Sequence, residues 1–228
     1  MKKTVYFLLS ISMFLGLFIT NSIKADSLSS NEQAPLFEQV EQANPEGNKT
    51  TFTDSGYKTI QITDNNGNII VAKIENLATG DYITSTSSQG QAIIEKGTLL
   101  NGETTISRET FDLVSVSEKL PNESSTFRAA VPSWMYGPWQ YTGIAVGKNV
   151  FAATVGLPTS ALITYVASIF GITPNNVSWM LSYMGAYGIS GSALADFLDT
   201  NKNGWIGLHY RKVYSSPKVF SGNQHRTY

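Results

Sequence analysis

The chain has 228 residues, 16 Lys and Arg against 17 Asp and Glu, and no cysteine. No disulfide framework, thiol nucleophile or thiolate metal site is open to it. The balanced total hides an asymmetry: residues 26–130 carry 15 acids and 7 bases, whereas residues 131–228 carry 2 acids and 6 bases, so an acidic segment precedes a basic, surface-seeking one.

Met1-Lys2-Lys3 is a positive start, Val5 to Ile19 an apolar run, and Ile23-Lys24-Ala25 a suitable cleavage site. The run has 15 residues, short of the roughly 18–20 that a spanning helix needs. Residues 1–25 are therefore expected to be a signal peptide of Gram-positive bacterial type, cut before Asp26, with the mature chain secreted to the extracellular space. Residues 26–50 are polar, with one short helix in which Pro35 opens the run Leu36-Phe37-Glu38-Gln39-Val40 and Asn44-Pro45-Glu46-Gly47 closes it.

Residues 57–110 alternate in the manner of strands. Ile60 and Ile62 alternate with Thr59, Gln61 and Thr63; after Asp64-Asn65-Asn66-Gly67, Ile70, Ala72 and Ile74 alternate with Val71, Lys73 and Glu75. An Asn-Gly step between alternating runs is a hairpin signal, because both residues tolerate positive φ. Tyr82–Thr86, Gln91–Leu100 and Thr104–Ser107 extend the pattern into an antiparallel meander, and Leu120 to Thr126 reads as a linker.

Beyond the linker the composition changes. All four tryptophans, Trp134, Trp139, Trp179 and Trp205, lie here, and residues 149–195 contain no charged side chain. Three helical pieces are predicted. The first runs from Thr159 or Ser160 to Phe170, the second from Pro174, capped by Thr173, to about Tyr183, and the third from Ser190 or Ser192 to Leu198. Leu208, Tyr210 and Val213-Tyr214, interleaved with His209, Arg211 and Lys212, predict an edge strand or hairpin.

The expected fold class is α+β: an N-terminal antiparallel β meander, then a hydrophobic helical segment, then a basic, aromatic β-like C-terminal tail. The expected organisation is a signal peptide at 1–25, a polar segment at 26–50, an acidic β-rich leader domain at 51–120, a linker at 121–130, and a hydrophobic helical, basic domain at 131–228.

The uncharged stretch supports two readings. Short apolar helices with aromatic and basic flanks suit an anionic bacterial membrane; the same helices suit a buried core. In the first reading the membrane contacts are Trp134, Trp139, Lys148, Phe151, Phe170, Trp179, Arg211 and Lys212.

Asp199, Asn201, Asn203 and Gly204 match the start of a calcium loop, but Tyr210 stands where a closing carboxylate is needed, so a helix end running into an Asn-Gly turn describes them better. Gly188-Ile189-Ser190-Gly191-Ser192 misses the nucleophile-elbow pattern at Ser192, and its only histidines are His209 and His225. Asp196 and Asp199 stand three apart at a helix end, where they solvate it. No zinc helix, phosphate loop or dinucleotide fingerprint is present. An enzyme, a resident metal and a cofactor are not expected. A half-chain net charge of +4 argues against nucleic acid and for anionic membrane lipid or wall polymer.

The layout resembles secreted Gram-positive proteins grouped with geobacillin-type large bacteriocins. The resemblance rests on the meander Thr59–Glu75, the aromatic lead-in Pro132-Ser133-Trp134 to Trp139-Gln140-Tyr141, the apolar helices after Gly156-Leu157-Pro158, and the closing Tyr210-Arg211-Lys212-Val213-Tyr214. It implies inhibition of related bacteria and assigns no residue a role. The sequence reading is thus a secreted, non-enzymatic, bacteriocin-like protein acting at the target membrane, held inactive by contact with its acidic leader. The alternative is a secreted wall- or host-ligand-binding module whose helices are ordinary core.

Overall fold

The computed structural model describes residues 34–113 and 134–228. The expected signal peptide and linker lie outside the described residues. The first sheet is an antiparallel meander of six neighbouring strands: β1 (Asn48–Asp54), β2 (Tyr57–Thr63), β3 (Ile69–Asn76), β4 (Tyr82–Ser88), β5 (Gln91–Leu100) and β6 (Glu103–Asp112). Three of its hairpins turn on an X-Gly pair with positive φ at both residues: Ser55-Gly56, Gln89-Gly90 and Asn101-Gly102. That geometry matches the right-handed twist of the strands it joins. The turn before β3 is longer, and Asp64 holds it by accepting from the N–H groups of Asn66 and Asn68.

The period-2 pattern gives this sheet two faces. Ala72, Ile74, Ile83, Ala92 and Ile94 point into the main core. On the other side, Phe37 of helix α1 (Leu36–Ala43) packs against Ile62 and Val71. Helix α1 is held at its start by Glu95, a fully buried carboxylate. Glu95 accepts from the Leu36 N–H at 3.0 and 3.1 Å, from the Tyr82 hydroxyl at 3.2 Å, and from Arg108 Nη2 at 2.5 Å. Free N–H groups and the positive end of the helix dipole favour a carboxylate there. Burial, together with the Glu95 charge, holds the Tyr82 phenol protonated well above its ordinary range.

The second sheet has the order β7 (Gln140–Gly147), β8 (Trp205–Ser216), β9 (Val219–Thr227), all antiparallel. Between β7 and β8 the chain runs through a 3-10 helix (Lys148–Thr154), α2 (Thr159–Phe170), α3 (Pro174–Met184) and α4 (Gly191–Leu198). Thr173 caps α3 by accepting from the Asn176 N–H at 3.2 Å, and Gly171 ends α2 at φ 61°. A left-handed residue after the last turn is a position that favours glycine.

Helix α2 lies over β3 and β4 of the first sheet and against α3, and nine of its twelve residues are buried. Tyr165, at its centre, is fully buried and donates its hydroxyl to Val150 O at 2.7 Å. Ser85 of β4 and Ser168 of α2 share a hydrogen bond of 2.6 Å. One continuous apolar cluster runs from Ile74, Ile83 and Ile94 through Leu162, Tyr165 and Phe170 to Val146, Ile206 and Leu208.

This corrects the expected fold class. The protein is mostly antiparallel sheet, with strands spread through the described chain rather than a meander succeeded by a helical segment and a tail. A helix precedes the meander, β7 precedes the apolar helices, and the expected tail is two paired strands of a second sheet. The physical reason lies in the uncharged stretch, whose helices are too short and too apolar to stand alone. They gain stability by filling the space between two sheets, each of which needs one face covered. The expected boundaries of α2, α3 and α4 agree with the structure to within a residue or two.

Candidate functional site

Strand β8 is the centre of the second sheet. Its alternation sends Ile206 and Leu208 into the core and puts His209 and Arg211 on the opposite face. Residues 134–147 and 204–228 carry Arg211, Lys212, Lys218 and Arg226 and not one acidic side chain.

Elsewhere in the molecule several cations are matched with carboxylates, while Lys73 of the first sheet lies 4.3 Å from the Tyr82 ring centre. Lys49 meets Glu41 at 2.7 Å, Lys96 meets Glu109 at 3.2 Å, and Arg108 meets Glu95. In the second sheet aromatic rings take that place. The Arg211 guanidinium carbon lies 3.9 Å from the Tyr136 ring centre, 4.5 Å from Trp139 and 5.9 Å from Tyr183. That of Arg226 lies 4.5 Å from Trp139. Arg211 Nε also donates to Gln224 Oε1 at 2.8 Å. A ring quadrupole attracts a cation but has no net charge. The rings hold the two guanidinium groups in place without adding negative charge of their own.

The same strands end in an apolar hairpin tip. Tyr214 pairs with Phe220 and Ser216 with Val219, leaving Pro217-Lys218 as the turn. The Tyr214 and Phe220 rings meet edge to face at 6.3 Å. A short segment runs along β8 beside the tip: Tyr136 bridges Val213, and Tyr214 N–H donates to Met135 O at 2.9 Å. Its antiparallel direction carries Trp134 toward the turn. Val219 is 53 %, Phe220 55 % and Trp134 38 % exposed, and Lys212 and Lys218 are exposed with them.

Asp196 and Asp199 sit at the far end of β8, where Lys148 contacts both carboxylates. The nine residue steps from Trp205 to Tyr214 separate that end from the tip by roughly 30 Å at strand spacing. The sheet is therefore electrically uneven, balanced at one end and positive at the other.

The residues expected to touch a membrane are scattered. Trp134 lies beside the tip, and Lys212 stands further back on β8, where its carbonyl accepts from the Gly137 N–H. Trp139 and Arg211 lie beside it in the cation–aromatic stack, where Arg211 is only 6 % exposed. Lys148 is bound to the two aspartates. Phe151 and Phe170 are buried in the core, with their rings 6.2 Å apart. Trp179 is exposed on the outer side of α3, opposite Val177, Met180 and Leu181. Sequence reasoning left out Tyr136, Tyr183, Tyr214, Val219 and Phe220. The signal for the last three was the alternation of Val213 to Phe220 about a Pro-Lys step.

Asp199 does not offer an open ligand set. Its oxygens accept from the Asn203 and Gly204 N–H groups at 3.0 Å each, and Asn203 accepts from the Trp205 N–H at 2.8 Å. These bonds build the turn into β8. Among the described residues no three His, Asp or Glu side chains gather as metal ligands. Ser190 is the N-cap of α4, and His209 is fully buried, with Nδ1 at 3.2 Å from Gly207 O and its ring against Tyr141 and Tyr228. Burial holds the imidazoles of His209 and His225 below the ordinary histidine range. Among the described residues no helix is long and apolar enough to cross a membrane.

Comparison with known protein families, with curated proteins and with solved structures finds no match to this chain.

Proposed function

We propose that this is a secreted, non-enzymatic antibacterial protein of bacteriocin-like kind, which acts by binding the anionic envelope of a target bacterium. The observation that carries the reading is the second sheet, whose strands carry Arg211, Lys212, Lys218 and Arg226 and no acidic side chain, with Arg211 and Arg226 stacked on aromatic rings. Such a surface attracts polyanions by long-range field and loses that attraction as salt screens it.

The burial of the apolar helices favours an intact chain as the binding form. Separation of the acidic segment from residues 131–228 would expose Ile74, Ile83 and Ile94 on one part and α2 on the other. The envelope contact therefore belongs to the sheet rather than to the helices, and the acidic first sheet faces away as a scaffold.

The experiment is to incubate residues 26–228 with Gram-positive cells and measure the cell-bound fraction at low and raised salt, with growth scored alongside. Binding that weakens with salt, together with slowed growth, is expected. Salt-indifferent binding or none would overturn the electrostatic reading, and binding without growth inhibition would overturn the antibacterial one.

A further inference from the structure

We infer that the β8–β9 hairpin tip, with Trp134 beside it, is a bilayer-docking device: Val219, Phe220 and Trp134 enter the headgroup region of an anionic membrane while Lys212 and Lys218 meet its phosphates. This rests on the envelope-binding reading above and names the layer that is bound.

Three observations converge on the tip. The first is composition. A soluble polyanion such as a wall polymer requires only cations, and apolar side chains on that surface gain nothing from it. Val219, Phe220 and Trp134 nevertheless stand exposed within one short hairpin end, alongside two lysines. A headgroup layer satisfies both kinds of group at once, since its phosphates attract lysine and its acyl boundary takes apolar and tryptophan side chains.

The second observation is the turn itself. Pro217 fixes its own φ near −65°, and Lys218 follows at φ 71°. That is the sequence of angles of a type II turn, whose second central residue is ordinarily glycine. A lysine there bears a left-handed conformation that its β-carbon disfavours. The tip thus carries a charge at its apex where a glycine would fold more easily. The three X-Gly hairpins of the first sheet, by contrast, place glycine at that position.

The third is direction. The tip is the end of β8 away from Asp196 and Asp199, so no carboxylate of the second sheet opposes its approach to an anionic surface. The cation–aromatic stack of Arg211 and Arg226 on Trp139 lies behind it and adds to the same field.

The test uses residues 26–228 and three probes: vesicles of phosphatidylglycerol mixed with phosphatidylcholine, vesicles of phosphatidylcholine alone, and inorganic polyphosphate as a soluble polyanion. Binding is followed by co-sedimentation and by the shift in tryptophan emission. Phe220→Ser and, on a separate segment, Trp134→Ser should each weaken binding to anionic vesicles roughly tenfold, from the apolar area each buries, and leave polyphosphate binding unchanged. Lys218→Gly should weaken binding to both anionic probes about fivefold. Thermal melts confirm that each variant folds, and two apolar variants on different segments keep the test open if one does not.

If Phe220→Ser and Trp134→Ser bind anionic vesicles like the parent while Lys218→Gly loses both probes, bilayer docking is overturned and a polyanion-binding envelope protein remains. If the parent binds neither anionic probe, the envelope-binding reading fails with it.

Discussion

The two sheets solve the problem of charge in different ways. In the first, Lys96 and Arg108 lie beside carboxylates, and buried Glu95 fastens α1 while pairing with half-buried Arg108. In the second, Arg211 and Arg226 lie on aromatic rings with no acid on their strands. Both arrangements immobilise long cationic side chains, but an aromatic ring, unlike a carboxylate, brings no net charge with it. One sheet is accordingly suited to hold the structure together and the other to present a positive surface, although a single core joins them.

That shared core gives the comparison its most severe test. Residues 131–228 produced without residues 26–130 lack the first-sheet face on which α2 lies. The expected outcome is loss of cooperative folding, read as a missing thermal transition and binding of a hydrophobic dye, whereas residues 26–228 melt in one step. Two separate transitions in the longer chain, or a cooperative melt in the shorter, would show that the sheets are independent units.

Next in size is a contrast between buried charges. Glu95→Ala removes the acceptor of the Leu36 N–H, the Tyr82 hydroxyl and an Arg108 bond, and loss of these bonds together costs about 3 kcal/mol; loss of the α1 anchor should appear as a lowered urea midpoint. Arg211→Met removes a cation stacked on the Tyr136 and Trp139 rings and hydrogen-bonded to Gln224. A cost of about 1–2 kcal/mol is expected, with weaker binding to anionic surfaces. Equal costs for the two variants would remove the distinction between a fastening charge and a displayed one.

Acid should act on the second sheet in particular. His209 and His225 are held below the unfolded histidine value by burial, and His209 also faces Arg226 across the strand pair. A depressed folded pKa means that the unfolded chain binds more protons between that pKa and about 6.5. Stability is fully present above about 6.5 and declines as pH falls below it. A melting temperature that drops between pH 7.5 and 5, with a shallower drop in His209→Asn, is the expected result.

How much of this was legible in the sequence depended on whether a signal was local. Thr173-Pro174 and Gly171 mark helix ends by their own backbone preferences, and the structure places α2 and α3 where they point. The alternation from Thr59 to Glu75 likewise gives β2 and β3. The sheet partner of β7 is distant in the chain, since Tyr141 pairs with His209 across 68 positions and Gly147 with Trp205 across 58. No periodicity in Gln140 to Gly147 records that pairing. For the same reason the uncharged stretch gave an ambiguous signal: apolar helices read alike whether lipid or two sheets cover them. Phe151 and Phe170 were expected at a membrane because elements that help bury them, such as the first sheet under α2, are distant in sequence. Of the site, Trp134 and Lys212 were visible as residue types, but their placement relative to Phe220 exists only through the register of β8 with β9 and with residues 135–137.

The smallest expected effect returns to the turns, where the sheets differ again. The first sheet places glycine second in three hairpins, after Ser55, Gln89 and Asn101, and so reaches positive φ at that second position without steric cost. The tip of the second sheet holds Lys218 at φ 71° instead. Lys218→Gly relieves that conformation and also gives the unfolded chain more freedom, two effects of opposite sign. Relief from a left-handed β-carbon is worth roughly 1–2 kcal/mol, whereas added unfolded-state freedom costs about 0.4–1 kcal/mol. The net is a gain of up to about 1 kcal/mol, or a few degrees in Tm, measured by calorimetry at neutral pH. A residue that lowers stability where it stands, on a face without acids and beside exposed Val219 and Phe220, is accounted for by binding if the same substitution that raises Tm also weakens attachment to anionic vesicles. A Tm that falls on Lys218→Gly would instead make the lysine part of what holds the hairpin, and the tip would then differ from the first sheet's turns in sequence alone.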